Sequence, residues 1–144
     1  MPNEKRIEQA VKIFPILRQF CSSENKMIGH FSDSNEVMEF INSNKLQKLA
    51  PMGTSCPDHF LRTKIKPMIL NIPSDFKLSN DKLISKKIEP IFEKYRKDYI
   101  EYYENCKKEN SPKIRDSNPV VILYPGVGMF TFALSLIHIW RCRR

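Results

Sequence analysis

The residues best equipped for chemistry lie together at Gly53-Thr54-Ser55-Cys56-Pro57-Asp58-His59-Phe60-Leu61-Arg62-Thr63-Lys64. No other part of the chain gathers a thiol, a carboxylate, an imidazole, a guanidinium, an ammonium and three hydroxyls into so few positions. The local signals are those of a glycine turn followed by a helix start. Ser55 or Cys56 stands near the N-cap, Pro57 suits the first helical position, and Asp58 falls where the helix dipole favours a carboxylate. On such a helix Asp58 and Arg62 share one face and His59 and Thr63 another, each pair four residues apart. The exposed N–H groups, with Arg62 and Lys64 close by, favour an anion. Asp58, His59, Arg62 and Lys64 are therefore the candidate binding or domain-contact cluster. The plainer reading of the same residues is a capped helix whose Asp58–Arg62 pair is solvated.

The chain must supply elements to hold that stretch. From Glu4 to Phe20, Ile7, Val11, Phe14, Ile16 and Leu17 mark a helical stripe, with Pro15 predicting a kink or two abutting helices. Lys26–Phe31 suits a short strand. Asp33 or Ser34 caps a helix whose buried side is Val37, Met38, Phe40 and Ile41, and Leu46, Leu49 and Ala50 give a further turn before Pro51. Met68–Ile72, bounded by Pro67 and Pro73, predicts a brief buried strand. The longest helix, about 81–108, is drawn by Leu83, Ile84, Ile88, Ile91, Phe92, Tyr95, Tyr99, Tyr102 and Cys106, with Pro90 bending or dividing it. Its tyrosine row at this spacing predicts a core-facing stripe in place of a base-stacking platform. After a polar loop over Asn110–Asn118, Val120–Tyr124 (about 120–124) is apolar throughout and β-branched, the pattern of a central strand. Pro125–Gly128 turns the chain, and Met129–Ala133 follows as a second strand. Helices alternating with short strands define the class as α/β.

Composition sets outer limits. The 144 residues suffice for one domain with a modest core. The formal charge of +8 invites a nucleic-acid reading, but without Arg141, Arg143 and Arg144 the balance is 21 basic against 16 acidic residues. The lysines are interspersed with acids and form no stripe, which points to a solvated surface and away from nucleic acid. Four cysteines without CxxC spacing fit reduced thiols better than zinc or a disulfide framework. The N-terminus lacks an apolar signal region and no apolar run reaches membrane-spanning length, so the expectation is a cytoplasmic chain with no membrane partner. Gly126-Val127-Gly128 follows a strand but lacks the third glycine of a dinucleotide loop, Thr131 standing in its place.

Four segments carry a resemblance: Ile28–Ser43 (IGHFSDSNEVMEFINS), Gly53–Pro67 (GTSCPDHFLRTKIKP), Tyr95–Lys107 (YRKDYIEYYENCK) and Arg115–Ala133 (RDSNPVVILYPGVGMFTFA). In this order they resemble bifunctional rhamnulose-1-phosphate aldolase/short-chain dehydrogenases, in the part between the two catalytic domains, over about Ile13–Ala133. The resemblance implies a parent enzyme with two activities. A class II aldolase domain, using zinc or another divalent metal held by histidines, splits the sugar phosphate into dihydroxyacetone phosphate and L-lactaldehyde. A Rossmann domain then handles the aldehyde with NAD(P). The aldolase histidine motifs lie upstream of the matched segment in that family. The dehydrogenase's glycine-rich loop and Tyr-xxx-Lys pair lie downstream. His30, His59 and His138 form no HxH, so no catalytic, metal or cofactor residue is carried over, and the implied partners are the flanking domains of the parent polypeptide. Residues 1–133 are thus expected to be one inter-domain segment, inactive alone. Leu134–Arg144 resembles a translated sequencing adapter, is expected to be non-native, and is set aside, His138 and Cys142 included; an amphipathic membrane tail is the other reading of it. Two alternatives remain beside the fragment: a small cytosolic anion-binding module using residues 53–64, and a charge-driven nucleic-acid-binding domain.

Overall fold

The computed structural model describes residues 2–54, 62–73 and 80–135. Four strands form one mixed sheet: β1 (Ile28–Ser32), β2 (Met68–Ile69), β3 (Val121–Tyr124) and β4 (Gly128–Ala133), in the spatial order β1-β4-β3-β2. The β3–β4 hairpin is antiparallel, with Ile122 opposite Phe130, and β1 pairs antiparallel with β4, with His30 opposite Thr131. The short β2 runs parallel to β3, Met68 beside Ile122. A parallel pair needs a long crossover. The long helix of the chain lies in that connection.

The described helices are α1 (Asn3–Cys21), α2 (Asn35–Ile41), α3 (Leu46–Leu49) and α4 (Asp81–Cys106), with a 3-10 turn at Ala50–Met52. The fold is α/β, as the sequence indicates. Neither Pro15 nor Pro90 divides its helix. Each proline removes one helical hydrogen bond, freeing the carbonyl four residues earlier. Val11 and Lys86 supply those carbonyls, and both residues are exposed, so water can take the bond. The start of α4 is capped by Asn80, whose side chain accepts from the Lys82 amide at 2.9 Å. Ser34 occupies the N-cap of α2 without a side-chain cap bond, and Asp33 turns instead to Arg6 at 3.3 Å.

The strand pleat sorts side chains onto two faces. On one, Ile122, Tyr124, Phe130 and Phe132 join Ile13, Leu17, Ile84, Ile88 and Phe92 of α1 and α4 in the main core. On the other, Leu123 meets Ile41, Leu46 and Ala50, with Val121 and Met129 packed alongside. Both faces of β3 are therefore covered, which accounts for its unbroken apolar sequence. Rings dominate the main core: Phe20 stacks on Phe92 at 4.9 Å, and Phe14 lies 5.9 Å from Phe130 and 5.7 Å from Phe132.

Several expectations need correction: Phe40, Leu49 and Leu83, read as facing inward, are 38%, 40% and 57% exposed, and the strand expected over Met68–Ile72 pairs only at Met68–Ile69. The inward line of α1 is Ala10, Ile13, Ile16, Leu17 and Cys21, leaving Ile7 and Val11 exposed. The spacing allowed two neighbouring lines on the helix, and contact with β4 and α4 selected the second. The tyrosine row, likewise, faces the core only as far as Tyr95. Tyr99 and Tyr103 are half-buried, and Tyr102 is 40% exposed. A helix of 26 residues is about 39 Å long, whereas a six-residue strand spans about 20 Å. The C-terminal part of α4 outruns the sheet and has no core to face.

Candidate functional site

The overshooting end of α4 is met by two stretches of irregular chain, residues 64–66 and 112–118. Lys64 joins them. Its backbone is left-handed, with φ 65°, the single non-glycine residue in that region among the described residues. This conformation costs an L-residue about 1–2 kcal/mol. The ammonium lies 4.5 Å from the centre of the Tyr99 ring and donates to the carbonyls of Asp116 and Asn118. Burial pushes its pKa down to about 8, and the Asp116 carboxylate opposes the fall. At neutral pH the side chain remains chiefly an ammonium, as its two carbonyl acceptors require.

Gly53 helps to set this path. It has φ 79°, and a Cβ there would stand 2.2 Å from the carbonyl oxygen of Ile65. The glycine thus brings the start of the Gly53–Lys64 stretch against the chain just beyond its end.

Behind Lys64 lies a second set of polar contacts. Asn118 is 3% exposed. Its amide nitrogen donates to Ser23 Oγ at 2.6 Å, its Oδ1 accepts from Arg96 Nε at 2.8 Å, and its backbone N–H donates to Asp116 Oδ1 at 2.7 Å. Arg96 also donates to the carbonyl of Phe20 at 3.0 Å, and Cys21 Sγ to that of Pro119 at 3.6 Å. Burial raises the Cys21 thiol well above the ordinary thiol range, so it stays protonated and inert as a nucleophile. These bonds tie the end of α1, the middle of α4 and the strap before β3 into one satisfied network.

Outside the network the strap and α4 enclose a cleft of about 280 Å³. Tyr99, Tyr102 and Tyr103 form one wall, Lys64 and Ile65 the end, and residues 112–115 the other wall. Tyr103 closes it by donating to the carbonyl of Pro112 at 2.7 Å.

The sequence-derived cluster is only partly placed. Asp58 and His59 lie outside the described residues. Arg62 is helical and half-buried. Lys64 points to Asp116, Asn118 and Tyr99 in the strap and α4. Sequence reasoning missed the cleft, whose signals were present as Tyr99, Tyr102 and Tyr103 within five positions and Lys113 and Arg115 two apart. It missed Arg96 and Asn118 too, ordinary residue types whose importance comes from burial.

Neither cofactor chemistry fits the described residues. Zinc needs three or four convergent ligands, and no group of three His, Cys, Asp or Glu side chains comes together among them. The turn at Gly126 is a hairpin bend followed by a strand, with its amide donating to Asn42 Oδ1 at 3.0 Å and that of Val127 to the Tyr124 carbonyl at 3.0 Å. No helix begins there to receive a pyrophosphate. No described helix is long and apolar enough to cross a membrane.

Residues 8–137 match the family described as aldolase class II, second domain, and the chain belongs to that family. It is 31% identical over 129 residues to the uncharacterized oxidoreductase YuxG of Bacillus subtilis (strain 168), an alignment taking in 90% of this chain. The chain spans 18% of that relative's length. No solved structure matches it.

Proposed function

We propose that this chain is the segment joining the two catalytic domains of a bifunctional sugar-catabolic enzyme. The first domain is a class II aldolase that cleaves rhamnulose 1-phosphate to dihydroxyacetone phosphate and L-lactaldehyde. The second is an NAD(P)-dependent short-chain dehydrogenase acting on the aldehyde. On this reading the divalent metal and the nicotinamide cofactor belong to the flanking domains. The partners of the segment are those domains, in the cytoplasm, and alone it catalyses neither step. Its own work is to present fixed surfaces to its neighbours, with the Lys64 network holding the end of α4 and the strap in one arrangement.

One observation carries the reading. The matched family takes its name from an aldolase and the relative takes its name from an oxidoreductase, yet a single segment aligns with both. A fusion of the two enzymes would contain such a segment. The decisive experiment assays YuxG and this chain side by side. Metal-dependent cleavage of rhamnulose 1-phosphate and nicotinamide-dependent turnover of lactaldehyde are expected from the relative and absent from the chain. Cleavage by the chain alone, or a relative lacking either activity, overturns the proposal.

A further inference from the structure

We propose that the chain pairs with a second copy of itself, edge to edge along β1, with the two copies of α1 side by side across a two-fold axis.

The open edge is the first support. Phe132 donates its amide to the Val120 carbonyl at 2.8 Å, so the backbone groups of Phe130 and Phe132 turn toward β3 and those of Met129, Thr131 and Ala133 toward β1. Ser32, His30 and Ile28, which stand opposite the latter three, spend their own backbone groups within the sheet. Gly29 and Phe31 therefore point their N–H and C=O groups outward from the outermost strand, where no described residue pairs with them. Nothing in the strand blunts this edge, since Ile28–Ser32 holds no proline, lysine or other charge.

The flank of α1 beside that edge is the second support. Arg18 Nε donates to the Met27 carbonyl at 2.7 Å and Arg6 meets Asp33 at 3.3 Å, so α1 runs antiparallel to β1. The helix rises about 18 Å from Arg6 to Arg18 and the extended chain covers about 20 Å from Met27 to Asp33, which sets His30 level with Lys12. Around the helix axis Glu4, Ile7, Val11 and Arg18 fall within about 60° of one another. They lie on the side opposite Phe20, whose ring stacks on Phe92 of α4, and so on the side of the β1 edge. Ile7 is 47% exposed there and Val11 66%.

The order of residues along that flank names the occupant. It reads acid, apolar, apolar, base: Glu4, Ile7, Val11, Arg18. Two copies set antiparallel complement each other, because Glu4 of each lies opposite Arg18 of the other with the apolar residues covered between them. Glu4 has no ion-pair partner among the described residues, and Arg18 reaches Met27 through Nε, so its terminal nitrogens can take the carboxylate. The strand edge calls for the same symmetry. Pairing Gly29 of one copy with Phe31 of the other satisfies every outward group and puts the two-fold beside His30, the level at which Val11 meets its mate.

The proposal goes beyond the bifunctional reading and does not depend on it. Sedimentation equilibrium of the chain up to about 1 mM should show a reversible dimer, and Val11→Lys should weaken it at least about tenfold. Glu4→Lys and Arg18→Glu should each weaken it alone, since each sets like charges opposite one another. An equimolar mixture of those two variants restores both pairs and should dimerise at least about tenfold more tightly than either variant by itself. Amide exchange on the unaltered chain reads the edge directly and decides the question should Val11→Lys fail to fold. Gly29 and Phe31 should be unprotected when dilute and protected when concentrated, whereas His30, bonded to β4, should be protected at both. A monomer at about 1 mM, a dimer indifferent to Val11→Lys, a mixture no tighter than its components, or Gly29 and Phe31 amides still unprotected in the dimer would each overturn the proposal.

Discussion

The two halves of α4 carry similar apolar spacing and meet different fates. From Ile84 to Tyr95 the helix gives Ile84, Ile88, Phe92 and Tyr95 to the main core, each at most 6% exposed. From Tyr99 to Cys106 the same periodicity continues in tyrosines that never reach the sheet. The inner half is held by apolar packing. The outer half is held by a few polar bonds from the strap, with Lys64 at their centre. A stripe of one period can thus serve as core at one end of a helix and as the wall of a cleft at the other.

Substitution at matched positions of the two halves should separate them most sharply. Phe92 is fully buried and stacked on Phe20, so Phe92→Ala should cost about 3–5 kcal/mol. Tyr102→Ala, on the cleft wall, should cost less than about 1 kcal/mol. Urea melts of the two variants measure this directly. Equal losses would mean that the outer half is core after all.

Next in size is the clamp between the halves. Lys64→Met removes the donor for two carbonyls, Asp116 and Asn118, and should cost about 2–3 kcal/mol. Lys64→Gly loses the same bonds but relieves the left-handed backbone, so it should be the milder change by about 1 kcal/mol. The wild-type clamp should also respond to pH. The folded chain releases the Lys64 proton near pH 8 and the unfolded chain near its ordinary value of 10.5. Between these values the unfolded state binds more protons, so the Lys64 contribution to stability rises with pH across that window, and below pH 8 the full cost of burying the charge is present. Melts of wild type and Lys64→Met from about pH 7 to 10.5 should therefore show a rise in the former that is missing from the latter. Parallel profiles would remove Lys64 from the clamp.

The smallest expected effect tests the core side of the comparison. Thr131 is 1% exposed, and its hydroxyl has no hydrogen-bond partner among the described residues. A buried hydroxyl without a partner is a cost, so Thr131→Val should raise stability, by about 1 kcal/mol. A loss of comparable size in thermal melts would show that the hydroxyl has a partner worth more than its burial.

The readings that succeeded were those fixed by local chemistry. Val121–Tyr124 could be read as a central strand because every one of its residues is apolar or aromatic, a composition tolerated where both faces are covered. Gly126 and Gly128 could be read as a turn because no third glycine follows, and the hairpin bears this out. The length of α4 was legible to within two residues, since Asn80 caps it and the stripe ends at Cys106. The candidate site was much less legible. Lys64 was picked out for its neighbours in sequence, Asp58, His59 and Arg62, whereas its described partners lie more than thirty residues downstream.

The sequence by itself determined the α/β class, the order of the described elements and the family, because periodicity, capping and turn residues act over a few positions and the matched segments extend along most of the chain. Only the tertiary structure decided which line of α1 faces inward, where α4 leaves the sheet, and that Lys113 and Arg115 share a concavity with three tyrosines and a strained lysine. Those outcomes depend on the relative lengths of a helix and a sheet and on charges brought together by folding. No pattern read along a single segment contains either quantity.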